Sequence, residues 1–440
     1  MRRNPAGGIL FQTNTSNEEL FEQRIVRNMN LEGQNMNRAG KAQKRGSMSR
    51  MIIFTGKGGV GKTTVAAAHA RKAAAKGKKT LIVSTDMAHN LCDLFDQELG
   101  REPREAGPNL YALEIDPDYE MNQHYGSIMN AVKNLVIGTA AQNLEAFDDL
   151  AMFPGIEELF SLIRIQEIYR SGEYEMIIVD CAPTGETLSL LKFPELLSWY
   201  MEKLFPLGKV AMKVLRPISR QVFKLELPDA QAMNDIERLY LKLAELENLL
   251  KDRDICSIRL VAMPEKMVVE ETKRSYMYLN LYNFNVDGLY INRVLPADLG
   301  NDFFDEWIRI QSDYIQELES VFAGMPVYRI PWYDLDLNGM EGLDRIAGDC
   351  LADTALFEVR CSASNEVFEK TEEGYVLTVC LPCAKKEEIE LHQSKSDMIL
   401  RIGNFKRSIP LPGTLARCQV DSARLENGRL AIRFSRDLTQ

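Results

Sequence analysis

The chain has 440 residues, 45% apolar and 26% charged, the balance of a soluble globular protein. A formal charge of −10 and a pI of about 5.3 exclude a global basic field for nucleic acid. No apolar run approaches the ~18 residues of a membrane span, and the eight scattered cysteines form no secretory framework, so the chain reads as cytoplasmic and reduced.

Residues 1–48 are rich in Asn, Gln, Gly and Arg, and residues 1–50 hold nine Lys/Arg against four Glu, a net +5. With no apolar core of a signal peptide, this stretch reads as a flexible tail. Glu18, Glu19, Glu22 and Glu32 argue against an organelle transit peptide, and a true start at Met48 or Met51 fits equally. From Met51 onward, short Ile/Val/Leu runs at 51–55, 80–84, 175–180, 257–263, 287–291 and 326–330 predict strands. They lack alternation, the mark of strands covered on both faces of a parallel sheet. With helices between them, the expected fold is a doubly wound α/β layer. Residues 119–170 and 195–250 break this rhythm as long, helical, Met- and aromatic-rich insertions, the second interrupted at Pro206 and Pro217. Beyond about residue 355, "YVLTVCLP", "DMILRIG", "KRSIPLP" and "GRLAIRF" are short, partly alternating and bounded by turn residues. Asn427-Gly428 between two such runs predicts a hairpin turn, and the region a separate all-β sandwich of roughly 80 residues.

The stretch "GKGGVGKTT", residues 56–64, fits G-x-x-x-x-G-K-[ST] with Gly56, Gly61, Lys62 and Thr63. It follows a predicted strand and opens an Ala-rich predicted helix, which is the setting a phosphate cradle requires. The glycines Gly56, Gly58, Gly59 and Gly61 let the backbone through Val60 curl its N–H groups inward, and the start of the helix at Thr63 and Thr64 adds partial positive charge. In that mechanism Lys62 bridges the outer phosphates of ATP and the Thr63 hydroxyl holds Mg²⁺. Asp86 in "LIVSTDMAHN" and Asp180 in "EMIIVDCAPTG" each stand just past an apolar strand, where α/β sheets bind ligands. One carboxylate can hold Mg²⁺ directly or through water and the other orient the attacking water; the alternative for each is a helix N-cap.

Together, "GKGGVGKTT", "STDMAHNLCDLF" and "VDCAPTGETLSLL" resemble the deviant-Walker ATPases of the ArsA arsenite-pump and tail-anchored-protein-targeting family, over about residues 50–350. The resemblance implies ATP hydrolysis with Mg²⁺ and a P-loop fold. It gives the extra lysine, Lys57, the part of a cation reaching the ATP of a second subunit, and so implies a homodimer. It also makes Asp86 the switch I aspartate that positions water, Asp180 the Walker B aspartate, and Ala182 to Gly185 switch II. Asn292 in "INRVLP" then reads adenine, and Pro331 and Trp332 lie where a loop covers the base. A turn-capping role for Asn292 and a core position for Trp332 are the alternatives. Met87 replaces the family's switch I proline and Glu186 its switch II histidine, while residues 297–318 lack the cysteines of a zinc-clamped dimer.

Residues 357–436 resemble the α-crystallin sandwich of small heat-shock proteins, without an I-x-I tail. Cys380 and Cys383 sit three apart at a strand end, a spacing that sends their side chains different ways and favours inert thiols. Three functions follow from the family: an ATP-driven chaperone or targeting factor whose helical insertions hold an apolar client, the soluble motor of an oxyanion pump, or a nucleotide switch with little turnover.

Overall fold

The computed structural model describes residues 49–436 except 87–89, 126–155, 182–229 and scattered loop positions between 298 and 417. The helical expectations for 126–155 and 195–229, the kinks at Pro206 and Pro217, Met87 and the switch II segment lie outside the described residues.

Eight strands form one sheet: β1 (Arg50–Thr55), β2 (Thr80–Ser84), β3 (Arg104–Gly107), β4 (Leu110–Glu114), β5 (Met176–Asp180), β6 (Cys256–Ala262), β7 (Val286–Val294) and β8 (Val327–Pro331). Their order is β3-β4-β2-β5-β1-β6-β7-β8, parallel throughout except for β3. Every residue of β1, β2, β5 and β6 is buried; the apolar runs of β1, β2 and β5 require it, while β6, Cys-Ser-Ile-Arg-Leu-Val-Ala, also buries Ser257 and Arg259. All six predicted strands are present. The β3–β4 hairpin is absent from the predicted strands: the edge strand β3, Arg-Glu-Ala-Gly, is polar and half-exposed, and β4, Leu-Tyr-Ala-Leu-Glu, is mostly buried but has no β-branched residue to mark it.

Among the described residues the helices longer than five residues are α1 (Lys62–Ala75), α2 (Asn90–Phe95), α3 (Ile156–Ser171), α4 (Ala230–Lys251), α5 (Lys266–Leu281), α6 (Asp302–Val321) and α7 (Gly339–Cys350). Helices α3 and α4 overlap the two segments predicted as helical, 119–170 and 195–250, each running one residue past its end. Helix α1 buries Val65, His69 and six alanines, a near-featureless surface that lets it lie close against the sheet. Arg71 binds Asp344 of α7 with both oxygens, at 2.8 and 3.0 Å, which fixes α7 along α1.

A polar network lies under the sheet. Asp287 accepts from Arg259 Nε at 3.0 Å and from Arg50 Nη2 at 3.2 Å. Arg259 also reaches Tyr290 Oη and the Leu356 carbonyl, at 3.1 and 2.6 Å. His69 closes the chain on Tyr290 Oη at 2.8 Å, and burial holds its pKa well below the usual histidine value. Two cations share one carboxylate here, and the Nη groups of Arg50 and Arg259 also meet carbonyls and hydroxyls, while Arg50 Nε has no hydrogen-bond partner among the described residues.

The C-terminal strands are β9 (Glu366–Lys370), β10 (Tyr375–Cys380), β11 (Ile389–Gln393), β12 (Asp397–Ile402), β13 (Phe405–Pro410), β14 (Cys418–Glu426) and β15 (Arg429–Arg436). They form antiparallel sheets β14-β15-β10-β9 and β11-β12-β13. Leu377 and Val379 of one sheet and Met398, Leu400 and Ile402 of the other are buried, two residues apart along each strand. Asn427 (φ 49°) and Gly428 (φ 71°) make the predicted hairpin turn. Strand β13 docks on the end of α5. Phe405 lies against Tyr278 with ring centroids 3.5 Å apart, Arg407 donates to the Leu281 carbonyl and Glu366, and Asn365 Nδ2 donates to the Phe284 carbonyl at 2.9 Å.

Candidate functional site

The cradle leaves β1 at Thr55 and enters α1 at Lys62. Two of its glycines are required by close approach. A Cβ on Gly56 (φ 155°) would stand 2.2 Å from the Val261 carbonyl oxygen, and one on Gly61 (φ 89°) 2.3 Å from Asn292 Nδ2. Gly61 is also the N-cap of α1; no side chain caps that end and no acidic residue stands in the first turn. The first N–H groups of the helix, at Lys62, Thr63 and Thr64, therefore keep their donors for an anion. Val60 is fully buried and anchors the loop, while Gly58 and Gly59 are exposed, with open space where a side chain would be.

The register of the sheet puts Asp180 between Phe54 of β1 and Ser84 of β2, at their carboxyl ends. Its Oδ2 accepts from Thr63 Oγ1 at 2.7 Å and from Ser84 Oγ at 3.3 Å. Its Oδ1 is buried and meets no hydrogen-bond partner among the described residues. Burial first, then the nearby Asp86 charge, push its pKa from the usual 3.8 up to about 6, against the pull of Thr63, Lys62 and Ser84. Such a group is a costly thing to leave alone in a core. A cation beside Oδ1 would satisfy it, and the donors present, a carboxylate and a hydroxyl, are the hard oxygens that Mg²⁺ prefers. The residues fit that ion.

Asp86 follows β2, half-buried, with its N–H on Ser84 Oγ at 3.2 Å. Ser84 thus links the two strand-end aspartates. Lys62 is 6% exposed and its Nζ reaches back to the Lys57 carbonyl at 3.4 Å. Lys57 turns outward, 3.8 Å from Glu271 of α5. Glu114, at the end of β4, holds the start of α2: its Oε1 accepts from the Leu91 and Cys92 N–H groups at 2.9 and 3.2 Å, and Oε2 from Cys92 Sγ at 3.0 Å. That helix begins just beyond the Asp86 loop.

Asn292, at the end of β7, lies on the cradle, its Nδ2 donating to the Val60 carbonyl at 2.8 Å. Trp332 is 57% exposed, so a core role is ruled out. Its N–H donates to Val294 at 2.8 Å, which sets Pro331 and Trp332 beside the Asn292 strand end. Lys57, Lys62, Thr63, Asp86, Asp180 and Asn292 thus share one edge of the sheet. Sequence reasoning passed over Ser84, Glu114 and Glu271. Ser84 stands two residues before Asp86, a signal that was available; Glu114 and Glu271 carry none beyond their charge.

Cys380 and Cys383 are free; burial pushes the Cys380 thiol above its usual pKa, and Cys383 is exposed. Among the described residues, no helix is long and apolar enough to cross a membrane.

A parallel α/β sheet with this loop between its central strand and first helix is a P-loop protein. The family model for the anion-transporting ATPase matches residues 49–352, and that for an HSP20-like domain found in ArsA matches 372–434. The chain belongs to the anion-transporting ATPase family. It is 34% identical over 396 residues to the putative arsenical pump-driving ATPase 1 of Aquifex aeolicus, covering 88% of this chain and all of that one. A putative arsenical pump-driving ATPase of Chlorobaculum tepidum is 33% identical over 391 residues, covering 88% of this chain and 96% of its own. The ATPase GET3 of Podospora anserina is 31% identical over 311 residues, covering 68% and 89%.

Proposed function

We propose that this chain binds Mg·ATP in the 56–64 cradle and hydrolyses it to ADP and phosphate, working as a cytoplasmic homodimer. The buried Oδ1 of Asp180, without a hydrogen-bond partner among the described residues and beside the Thr63 hydroxyl, carries this reading, because a cation at the mouth of a phosphate loop would satisfy it. Lys62 and the first N–H groups of α1 neutralise and orient the outer phosphates. Thr63 and Asp180 hold the metal. When bound, Mg²⁺ offsets charge on the phosphate oxygens. Asp86 accepts a hydrogen bond from the attacking water and aims it at the last phosphorus. Lys57 swings from Glu271 to the phosphates held by the partner subunit. Asn292, Pro331 and Trp332 contact the base.

In this proposal, residues 1–48 are a tail, 49–352 the ATPase domain and 357–436 a sandwich carried on it. Hydrolysis drives a rearrangement of the dimer that holds or releases an apolar client segment, in keeping with relatives named GET3. The names of the Aquifex and Chlorobaculum relatives favour a second reading, the motor of an oxyanion pump. Phosphate release by the purified chain, with and without arsenite and with and without an apolar helical peptide, separates the two. Peptide stimulation alone supports the client reading and arsenite stimulation alone the pump. Nucleotide uptake with no stimulated turnover, and function surviving Asp86→Asn, would leave a nucleotide switch; no nucleotide uptake would end all three.

A further inference from the structure

The carboxyl end of β7 is distorted. Its pairing with β8 slips between Ile291 and Val294, and Arg293 sits at φ 55°, in the left-handed region that a non-glycine residue avoids. Strain of this kind persists only where surrounding contacts impose it. The contacts come from three sides. Gln311, on α6, donates from Nε2 to the Arg293 carbonyl at 3.3 Å and accepts at Oε1 from the Leu295 N–H at 2.8 Å. Trp332 N–H binds the Val294 carbonyl at 2.8 Å. Asn292 Oδ1 accepts from the Arg293 N–H at 2.9 Å.

The consequence falls on Asn292. Its amide is held at both ends, with Nδ2 on the cradle carbonyl of Val60 and Oδ1 on the bulge itself. These two partners allow only one orientation of the amide. Each amide nitrogen carries two hydrogens and each oxygen two lone pairs, so one donor and one acceptor remain, in a fixed direction. A donor beside an acceptor complements the N6 amino group and N7 of adenine. The same edge of guanine offers two acceptors.

We propose that Gln311 is a positioning residue for base selection: by clamping the bulge across Arg293 and Leu295 it fixes the Asn292 amide for adenine and against guanine. Gln311 acts through Asn292. The proposal rests on the reading that the cradle takes a nucleoside triphosphate.

The test uses the full chain and its Gln311→Leu and Gln311→Glu variants, titrated with ATP, GTP and inorganic tripolyphosphate, all with magnesium. Tripolyphosphate reports the cradle without a base. Gln311→Leu is expected to weaken ATP about tenfold, to shrink the ATP-over-GTP preference by about the same factor, and to leave tripolyphosphate within about twofold. Gln311→Glu keeps the acceptor for Leu295 but sets a carboxylate against the Arg293 carbonyl, so it shifts the preference in the same direction. The proposal is overturned if ATP and tripolyphosphate weaken in parallel, since the residue then serves the fold or the cradle, or if base preference does not change. A wild-type chain that takes up tripolyphosphate with no base preference overturns it too, while sparing the phosphate reading. Wild-type failure to take up tripolyphosphate removes both.

Discussion

The Thr63 hydroxyl donates to Asp180 Oδ2 at 2.7 Å, so the first turn of α1 and the end of β5 meet through one hydrogen bond. The cradle and the buried carboxylate are therefore a single unit. Thr63→Val keeps the shape of the side chain and removes the donor. Magnesium-dependent ATP binding should weaken on the order of 10- to 100-fold, read by calorimetry at fixed magnesium. Unchanged affinity would take Thr63 out of the metal site.

The Asp180 carboxyl titrates near 6 in the folded protein against an ordinary 3.8. Its proton is held more tightly in the folded state than in the unfolded one. The nucleotide-free protein should then lose stability as pH rises from about 4 to about 6, with no further change from this group above that. Magnesium requires the ionised form, so metal affinity should climb through the same window. Thermal melts and magnesium titrations across it, repeated on Asp180→Asn, check both slopes; identical slopes in the variant would assign them to other groups.

Lys57 and Glu271 lie 3.8 Å apart with side chains 36% and 30% exposed, a pair that contributes only about 0–1 kcal/mol. Lys57→Ala should leave the melting temperature in place and cut turnover by about 10³-fold. Mixing Lys57→Ala with Asp86→Asn tests the direction of reach. A lysine acting across the dimer restores one complete site in each mixed dimer. Activity that stays absent in a verified mixed dimer would place Lys57 in its own subunit's site.

Arg407 is 6% exposed and joins the Leu281 carbonyl at the end of α5 to Glu366 of β9. Arg407→Met strands a half-buried carboxylate and a buried carbonyl, at a cost of about 2–4 kcal/mol. Denaturant unfolding should show that loss, and limited proteolysis should cut faster within 353–365. Wild-type resistance would mean that the other contacts, Tyr278–Phe405 and Asn365–Phe284 among them, hold the sandwich in place without Arg407.

Much of this architecture was open to a reader of the sequence because the forces responsible are local. Unbroken Ile/Val/Leu runs have no polar face to show to water, so β1, β2 and β5 had to be covered on both sides. Gly56, Gly61, Lys62 and Thr63 stand within one turn of chain, and their spacing alone bends a backbone around phosphate. Asn427-Gly428 set its hairpin by the same short-range logic. Strand β3 escaped notice because an edge strand needs no apolar signal.

What only the tertiary structure decided are the meetings between residues far apart in the chain. The sequence placed Asp180 after a strand; the sheet order β2-β5-β1 set it between Ser84 and Phe54, and burial there left one oxygen without a partner among the described residues. Glu271 meets Lys57, Gln311 clamps Arg293, and Arg407 docks on α5 across long stretches of chain. No spacing rule reaches that far. Hydrophobic pattern and turn chemistry act over a few residues, whereas the direction of a buried hydrogen bond is set by which strands and helices the whole fold brings together.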